Sequence, residues 1–130
     1  MSDKSIAEKL YLRPGNRFLL VNPPAGYVAR MGELPEGCLL LSEASGQVDV
    51  IQAFIANRLE LEDELPQLKQ FIAPKGMIWI TYHKGTSKLK TDINRDTINA
   101  YAQSLGMTGV AMISIDDDWS ALRLKTTWPG

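Results

Sequence analysis

Residues 17 to 26, Arg17-Phe18-Leu19-Leu20-Val21-Asn22-Pro23-Pro24-Ala25-Gly26, decide the fold. The unbroken apolar run from Phe18 to Val21 reads as a strand buried on both faces, the kind a parallel sheet uses. It runs straight into two prolines. A nucleotide-binding turn at that place needs glycines and free backbone amides, and Pro23 and Pro24 offer neither. The stretch therefore places an α/β fold and removes its most familiar function.

Upstream, Ser5 and Glu8 have the spacing of a capping box, and Ile6 and Leu10 share a face of a short helix that ends before Pro14-Gly15. This helix is expected to lie as a lid on the sheet edge. Downstream, a short helix is expected from Tyr27 to Met31, stopped by Gly32, then a turn at Leu34-Pro35-Glu36-Gly37 and a continuously apolar strand from Cys38 to Leu41. Val48 to Ile55 is a third apolar run and reads as a central strand. From Leu59 to Ala73, Leu61, Leu65, Leu68 and Ile72 recur with helical spacing. Pro66 kinks that helix unless Asp63 starts it, since the first turn tolerates a missing amide.

Ala73-Pro74-Lys75-Gly76 reads as a turn into a fourth strand, Met77 to Tyr82, and His83 to Thr91 as a polar connection. Asn94 is placed to cap a helix carrying Ile98, Tyr101, Ala102 and Leu105 on one side, with Ile93 and Ile98 as its staple and Gly106 as its stop. Two strands, Val110 to Ile115 and Ala121 to Lys125, close the chain as an antiparallel hairpin. Strands alternating with helices give a three-layer, Rossmann-like α/β sandwich, its sheet mostly parallel with a C-terminal antiparallel hairpin. Residues 1–130 are expected to form one domain.

Composition excludes several classes. The chain is 45% hydrophobic and 22% charged with a formal charge of -1, so nothing pulls it as a whole toward nucleic acid or anionic lipid. No apolar run approaches the roughly 18 residues that cross a bilayer, and Ser2-Asp3-Lys4 opens neither a secretory signal nor a transit peptide, so a cytoplasmic protein is expected. Cys38 is the only cysteine and is expected to be a small buried apolar residue. With one histidine and one cysteine, four zinc ligands cannot be named.

Val48-Asp49-Val50, Leu68 to Gly76 and the terminal hairpin give the series strand, helix, Pro-Lys-Gly turn, strand, helix, hairpin. That series resembles the later half of a class I methyltransferase that uses S-adenosylmethionine. Leu12-Arg13-Pro14-Gly15, Trp79-Ile80-Thr81-Tyr82-His83-Lys84, Thr91-Asp92-Ile93-Asn94-Arg95-Asp96 and Asp118-Trp119-Ser120-Ala121-Leu122-Arg123 are similar to a family of small bacterial proteins catalogued as a domain of unknown function. The resemblance implies a degenerate methyltransferase-like fold. In the methyltransferases a glycine-rich turn after the first strand admits the cofactor's methionine part and an acid ending the second strand holds the ribose. Glu43 matches that acid loosely, whereas Asn22 to Gly26 departs from the glycine turn, so no cofactor is assigned.

In an open α/β sheet the ligand crevice lies beyond the carboxyl ends of the strands, and Asn22, Glu43, Phe54, His83 and Asp116 fall there. Lys84, Gly85, Thr86, Ser87 and Lys88, with Lys90 and Arg95 following, combine hydroxyls, a glycine and cations beside a helix start, a composition suited to an anion, but without the full pattern of a phosphate-binding loop. His83, at a strand exit, is the one candidate for proton transfer, against the plainer role of a hydrogen-bonded strand cap. A relay of Ser87, His83 and Asp92 has no established spacing. Asp92, Asn94 and Asp96 lack the glycine and distal glutamate of a calcium loop, Asp116-Asp117-Asp118 belongs to a hairpin connection, and no metal is assigned. Lys84, Lys88, Lys90 and Arg95 make only a local basic patch, so nucleic acid is not expected. Trp119 either covers the crevice or pins the hairpin.

The leading expectation is a non-catalytic module that binds a small anion or a protein partner. One alternative is a small enzyme in which His83 transfers a proton while Lys84 or Arg95 positions an anionic substrate. The other is an assembly protein without a small ligand, joined as a homodimer or to a partner through its helices or sheet edge.

Overall fold

The first strand, β1, runs from Arg17 to Val21, and Phe18, Leu19 and Leu20 are buried, as the reading of that run requires. The computed structural model describes residues 5–43, 46–85 and 91–126. In chain order the elements are α1 (Ile6–Lys9), β1, α2 (Tyr27–Arg30), β2 (Leu39–Leu41), β3 (Val48–Phe54), α3 (Arg58–Lys69), β4 (Ile72–His83), α4 (Arg95–Ser104), β5 (Met107–Ser114) and β6 (Trp119–Thr126). They build one six-stranded sheet in the order β2-β1-β3-β4-β6-β5. The first four of these pair in parallel, and β6 is antiparallel to both neighbours, so the terminal hairpin is inserted as β6 against β4.

Strand alternation divides the interior into two cores. Leu19, Ile51, Ile80 and Leu122 face Leu61 and Leu65 of α3 and Ile98 and Ala102 of α4. Phe18, Val50, Trp79 and Ala121 face Ala7 of α1, Leu10, and Tyr27 and Met31 on and after α2. Sheet plus the two helical coverings make the expected sandwich, with a C-terminal antiparallel hairpin.

Several local expectations need correction. Helix α1 does not lie on the sheet edge: Leu10 is fully buried and its carbonyl accepts the Trp79 indole N–H at 3.1 Å, so the segment crosses an interior strand. Strand β2 is an edge strand, which leaves Leu39 and Leu40 exposed and Cys38 only half-buried. Helix α3 starts at Arg58, close to the expected Leu59 and not at the alternative Asp63, because Asn57 caps it by accepting the Glu60 N–H at 2.9 Å. Pro66 therefore sits inside the helix, where it leaves the Glu62 carbonyl without its usual amide donor. The Tyr101 hydroxyl of α4 donates to that carbonyl at 3.4 Å. Residues Ala73 to Gly76 are not a turn but part of β4, accommodated by a register shift between Val48 and Val50 of β3. Gly76 fits there because a Cβ would stand 2.7 Å from the Asp49 carbonyl oxygen.

Helix α4 follows its sequence signals closely. Asn94 and Thr97 form a reciprocal capping box, Ile93 and Ile98 are both buried, and Gly106 follows the helix at φ +78.

Candidate functional site

The carboxyl edge of the parallel strands is where Val21, Phe54 and His83 end β1, β3 and β4, and where antiparallel β6 begins with Trp119 paired to His83. Strand alternation turns Phe54, Thr81 and His83 toward the α1/α2 side, the side of Trp79 and Tyr27. There the aromatic rings form a continuous chain. Tyr27 meets Phe54 edge-on at 4.7 Å, Phe54 meets Trp119 edge-on at 4.9 Å, and Trp119 stacks on the His83 imidazole at 3.9 Å and 29°.

Below this chain lies a buried polar line. The Tyr27 hydroxyl donates to Gln52 Oε1 at 2.7 Å, and Gln52 Nε2 donates to Thr81 Oγ1 at 3.1 Å, with Gln52 and Thr81 fully buried. Burial pushes the Tyr27 phenol well above its ordinary value, outweighing the opposing effects of the Gln52 hydrogen bond and the nearby Arg30 charge. His83 is 8% exposed and its Nδ1, unlike those groups, has no hydrogen-bond partner. A buried polar atom left so costs about 1–3 kcal/mol, which marks the imidazole as a place where the fold tolerates a deficit. The expectation of a hydrogen-bonded strand cap is thus not met at Nδ1.

The mouth of this region is closed by the turn between β5 and β6. Asp116 Oδ1 accepts the N–H groups of Asp118 at 2.8 Å and Trp119 at 2.9 Å, while Oδ2 accepts Arg30 Nη1 of α2 at 3.0 Å. Burial raises the carboxyl, but the Asp118 N–H, Arg30 and the Trp119 N–H together outweigh it and leave Asp116 below the usual carboxylate value. The Lys84 N–H adds a bond to the Asp118 carbonyl at 2.8 Å, tying the turn to the end of β4.

The other sequence candidates lie elsewhere. Lys84, Gly85 and Arg95 do come together, with Tyr82, Asp96 and Met112, around an open groove of about 520 Å³. Tyr82 belongs to the α3/α4 core, so this groove opens on the opposite side of the sheet from the His83 ring. The Lys84 Nζ donates to Ser114 Oγ at 2.7 Å, and Arg95 lies 3.6 Å from Asp96. Asp92 accepts the Arg58 N–H at 2.7 Å, an engagement with the start of α3 rather than with His83. Asn22 is exposed with φ +54, and Glu43 is exposed beyond β2. Thr86, Ser87 and Lys88, like Lys90, lie outside the described residues. Among the described residues no group of three or more histidine, cysteine or acidic side chains is placed to hold a metal ion. No helix among the described residues is long and apolar enough to cross a membrane.

Sequence reasoning missed Tyr27, Arg30, Gln52 and Thr81. Gln52, inside the apolar run Val50-Ile51-Gln52-Ala53-Phe54, and Thr81, two residues before His83, carried a signal, since a polar residue in a strand buried on both faces needs a partner.

The fold is that of the methyltransferase-like α/β proteins. The ribosomal protein L11 methylase of Lactobacillus delbrueckii subsp. bulgaricus aligns with a TM-score of 0.58 at 14% identity, over 95% of this chain and 75% of that one. TrmN of Thermus thermophilus aligns at 0.60 and 14% identity, over 93% of this chain and 47% of that one. The B. subtilis tRNA methyltransferase TrmK gives 0.55 at 9% identity, over 93% and 63%. At these identities the likeness establishes the fold. No family model matches the chain, and no curated protein matches it.

These likenesses overturn the expectation of a non-catalytic anion- or protein-binding module, because the scaffold is one that methylases and methyltransferases use. The bend from Asn22 to Gly26 nevertheless does not fit an S-adenosylmethionine of the kind held by glycine amides. Pro23 and Pro24 have no N–H, and the Tyr27 N–H donates to the Pro24 carbonyl at 3.1 Å.

Proposed function

We propose that the chain is a small enzyme of the methyltransferase-like fold in which His83 moves a proton on an anionic substrate at the carboxyl edge of the sheet. The observation that carries this reading is the His83 imidazole, buried at a strand end with Nδ1 unpartnered. An imidazole is the side chain most often used as a general acid or base, and help of this kind contributes about 10² to 10⁴ in rate. Arg30 is bound to Asp116 of the β5–β6 turn, and the other oxygen of Asp116 accepts the Trp119 N–H, so a cation is fixed to the turn that carries the ring stacked on His83. Lys84 and Arg95, flanking the other groove, are assigned to the opposite side of the sheet. The reading takes residues 1–130 as one domain, and the motifs around Leu12, Trp79, Thr91 and Asp118 support kinship with the small bacterial family they resemble.

Proton transfer is measurable without knowing the full reaction. A panel of carboxylates and phosphates bearing acidic C–H bonds is incubated with the protein in D₂O and deuterium uptake is followed by NMR. The expected result is exchange with at least one anion, reduced about 100-fold or more in His83→Gln with the fold retained. Exchange that persists in His83→Gln, or no exchange with any member of the panel, refutes the reading.

A further inference from the structure

We infer that the outer edge of β5 is an interface with a second copy of this chain, paired antiparallel about a two-fold axis through Met112 so that the two sheets continue into one another. The inference stands apart from the proton-transfer reading, since His83 ends β4, and β6 lies between β4 and β5.

The two edges of the sheet are built differently. Strand β2 is blunted by its length of three residues, whereas β5 has eight, Met107–Ser114, and none of them is charged or proline. Natural sheets protect a long edge with charge, proline or cover. Here cover reaches only the ends: Asn99 Oδ1 accepts the Gly109 N–H at 2.8 Å, and Lys9 Nζ donates to the Ser114 carbonyl at 3.0 Å. Between these ends the direction of the backbone groups alternates. The Ile115 N–H turns inward to the Trp119 carbonyl and the Ser114 carbonyl turns outward to Lys9, so Met112, two residues before Ser114, directs both its N–H and its C=O away from β6. Among the described residues no strand lies beyond β5 to receive them.

Symmetry and charge point to a second copy as the occupant. An antiparallel pairing centred on one residue is self-complementary, so two copies satisfy the Met112 N–H and C=O reciprocally. The side chains of Met112 and Val110 are exposed, and with Arg95, Asp96 and Asn99 of α4 they line a cavity of about 240 Å³ between β5 and α4, space that the opposing Met112 side chain can enter. Arg95 and Asp96 stand beside Met112 in the first turn of α4, both well exposed and 3.6 Å apart. A two-fold axis at Met112 sets each Arg95 toward the Asp96 of the other copy, so the charge pattern along this edge is complementary to itself.

The test is sedimentation equilibrium of the full chain, whose mass is expected to double as its concentration rises through the micromolar range. Met112→Lys alters an exposed side chain, sets two ammonium groups opposite each other and should weaken the dimer about tenfold or more. Arg95→Glu and Asp96→Arg should each weaken it several-fold by facing like charges, and the two changes together should restore it. The Met112 amide should exchange its hydrogen more slowly as concentration rises, while the amides of β2, at the opposite edge, keep their rates. A chain that stays monomeric, a dimer that Met112→Lys leaves intact, or a dimer that protects the β2 amides instead of Met112 overturns the inference. A dimer indifferent to both Arg95→Glu and Asp96→Arg refutes the two-fold axis at Met112 and with it the pairing.

Discussion

Replacing Tyr27 by Phe removes one oxygen atom from the line Tyr27–Gln52–Thr81, and its cost follows from the burial of that line. Tyr27 is 1% exposed and Gln52 and Thr81 are fully buried, so no water replaces the lost donor. Gln52 Oε1 then keeps its desolvation cost without its 2.7 Å hydrogen bond, a penalty of about 1–3 kcal/mol. For a chain of 130 residues each kcal/mol lowers the melting temperature by roughly 4 °C, so a fall of about 4–12 °C is expected by calorimetry or circular dichroism. The same variant changes the alkaline limb. Because burial raises the folded phenol above its ordinary value of 10.0, the unfolded chain loses this proton first as pH rises. The folded state then binds more protons, and stability present below pH 10.0 is lost at about 1.4 kcal/mol per pH unit above it. Tyr27→Phe lacks that term, so the two melting curves converge as pH climbs past 10. In the double variant Tyr27→Phe/Gln52→Leu the losses should fall short of additivity by about 0.5 kcal/mol or more. A Tyr27→Phe cost below roughly 0.5 kcal/mol, or parallel pH profiles for the two proteins, would refute the claim that this network is dry and paired.

The remaining expectations concern the backbone and the closing turn. Gly76→Ala places a Cβ 2.7 Å from the Asp49 oxygen and 2.8 Å from the Ile72 side chain, and should destabilise by about 1–3 kcal/mol, whereas Gly85→Ala, with open space around it, should be near neutral by urea denaturation. Pro66→Ala restores the amide for the Glu62 carbonyl and should stabilise by about 1 kcal/mol or more, and in that background Tyr101→Phe should cost less than in the wild type. The Asp116 carboxyl sits below its ordinary 3.8, so its contribution is present above that pH and is lost as pH falls through the folded value. Asp116→Asn should accordingly flatten the acid limb of the thermal-stability profile, and an unchanged limb would count against the turn as the group that titrates.

Most of the fold was legible because the strongest signals are local. The Phe18 to Val21 run, the Asn94 cap with its Ile93–Ile98 staple and the Gly106 stop each read directly into an element. What was not legible depends on partners distant in sequence. The place of Pro66 within its helix stayed open because only Asn57, nine residues earlier, and Tyr101 of another helix make its interior position workable. Ala73 to Gly76 looked like a turn because Pro and Gly usually are one, and only the opposing Val48–Val50 segment shows that the irregularity is absorbed within the sheet. Nothing in the continuously apolar run of β2 marks it as the outermost strand, where Leu39 and Leu40 are exposed.

The candidate site was blurred for a related reason. Along β4 the residues from Ile78 to His83 are all buried, so hydropathy gives no hint of which face each one serves. Parity does. Trp79, Thr81 and His83 share one side and Ile78, Ile80 and Tyr82 the other, so His83 and the groove carrying Lys84 and Arg95 belong to different faces although they are close in sequence. The side that receives His83 is also the one roofed by the four-residue helices α1 and α2, whereas α3 and α4, at 12 and 10 residues, roof the other. Long helices close a face chiefly with apolar contacts, as Leu61, Leu65, Ile98 and Ala102 do here. Short ones do not, and here the thin side uses aromatic rings, a hydrogen-bonded line through Gln52 and an exposed ion pair. Such a cover is the easier of the two to open, and it lies over the imidazole whose Nδ1 is unpartnered. The location of the proposed chemistry thus follows from the unequal roofing of the two faces.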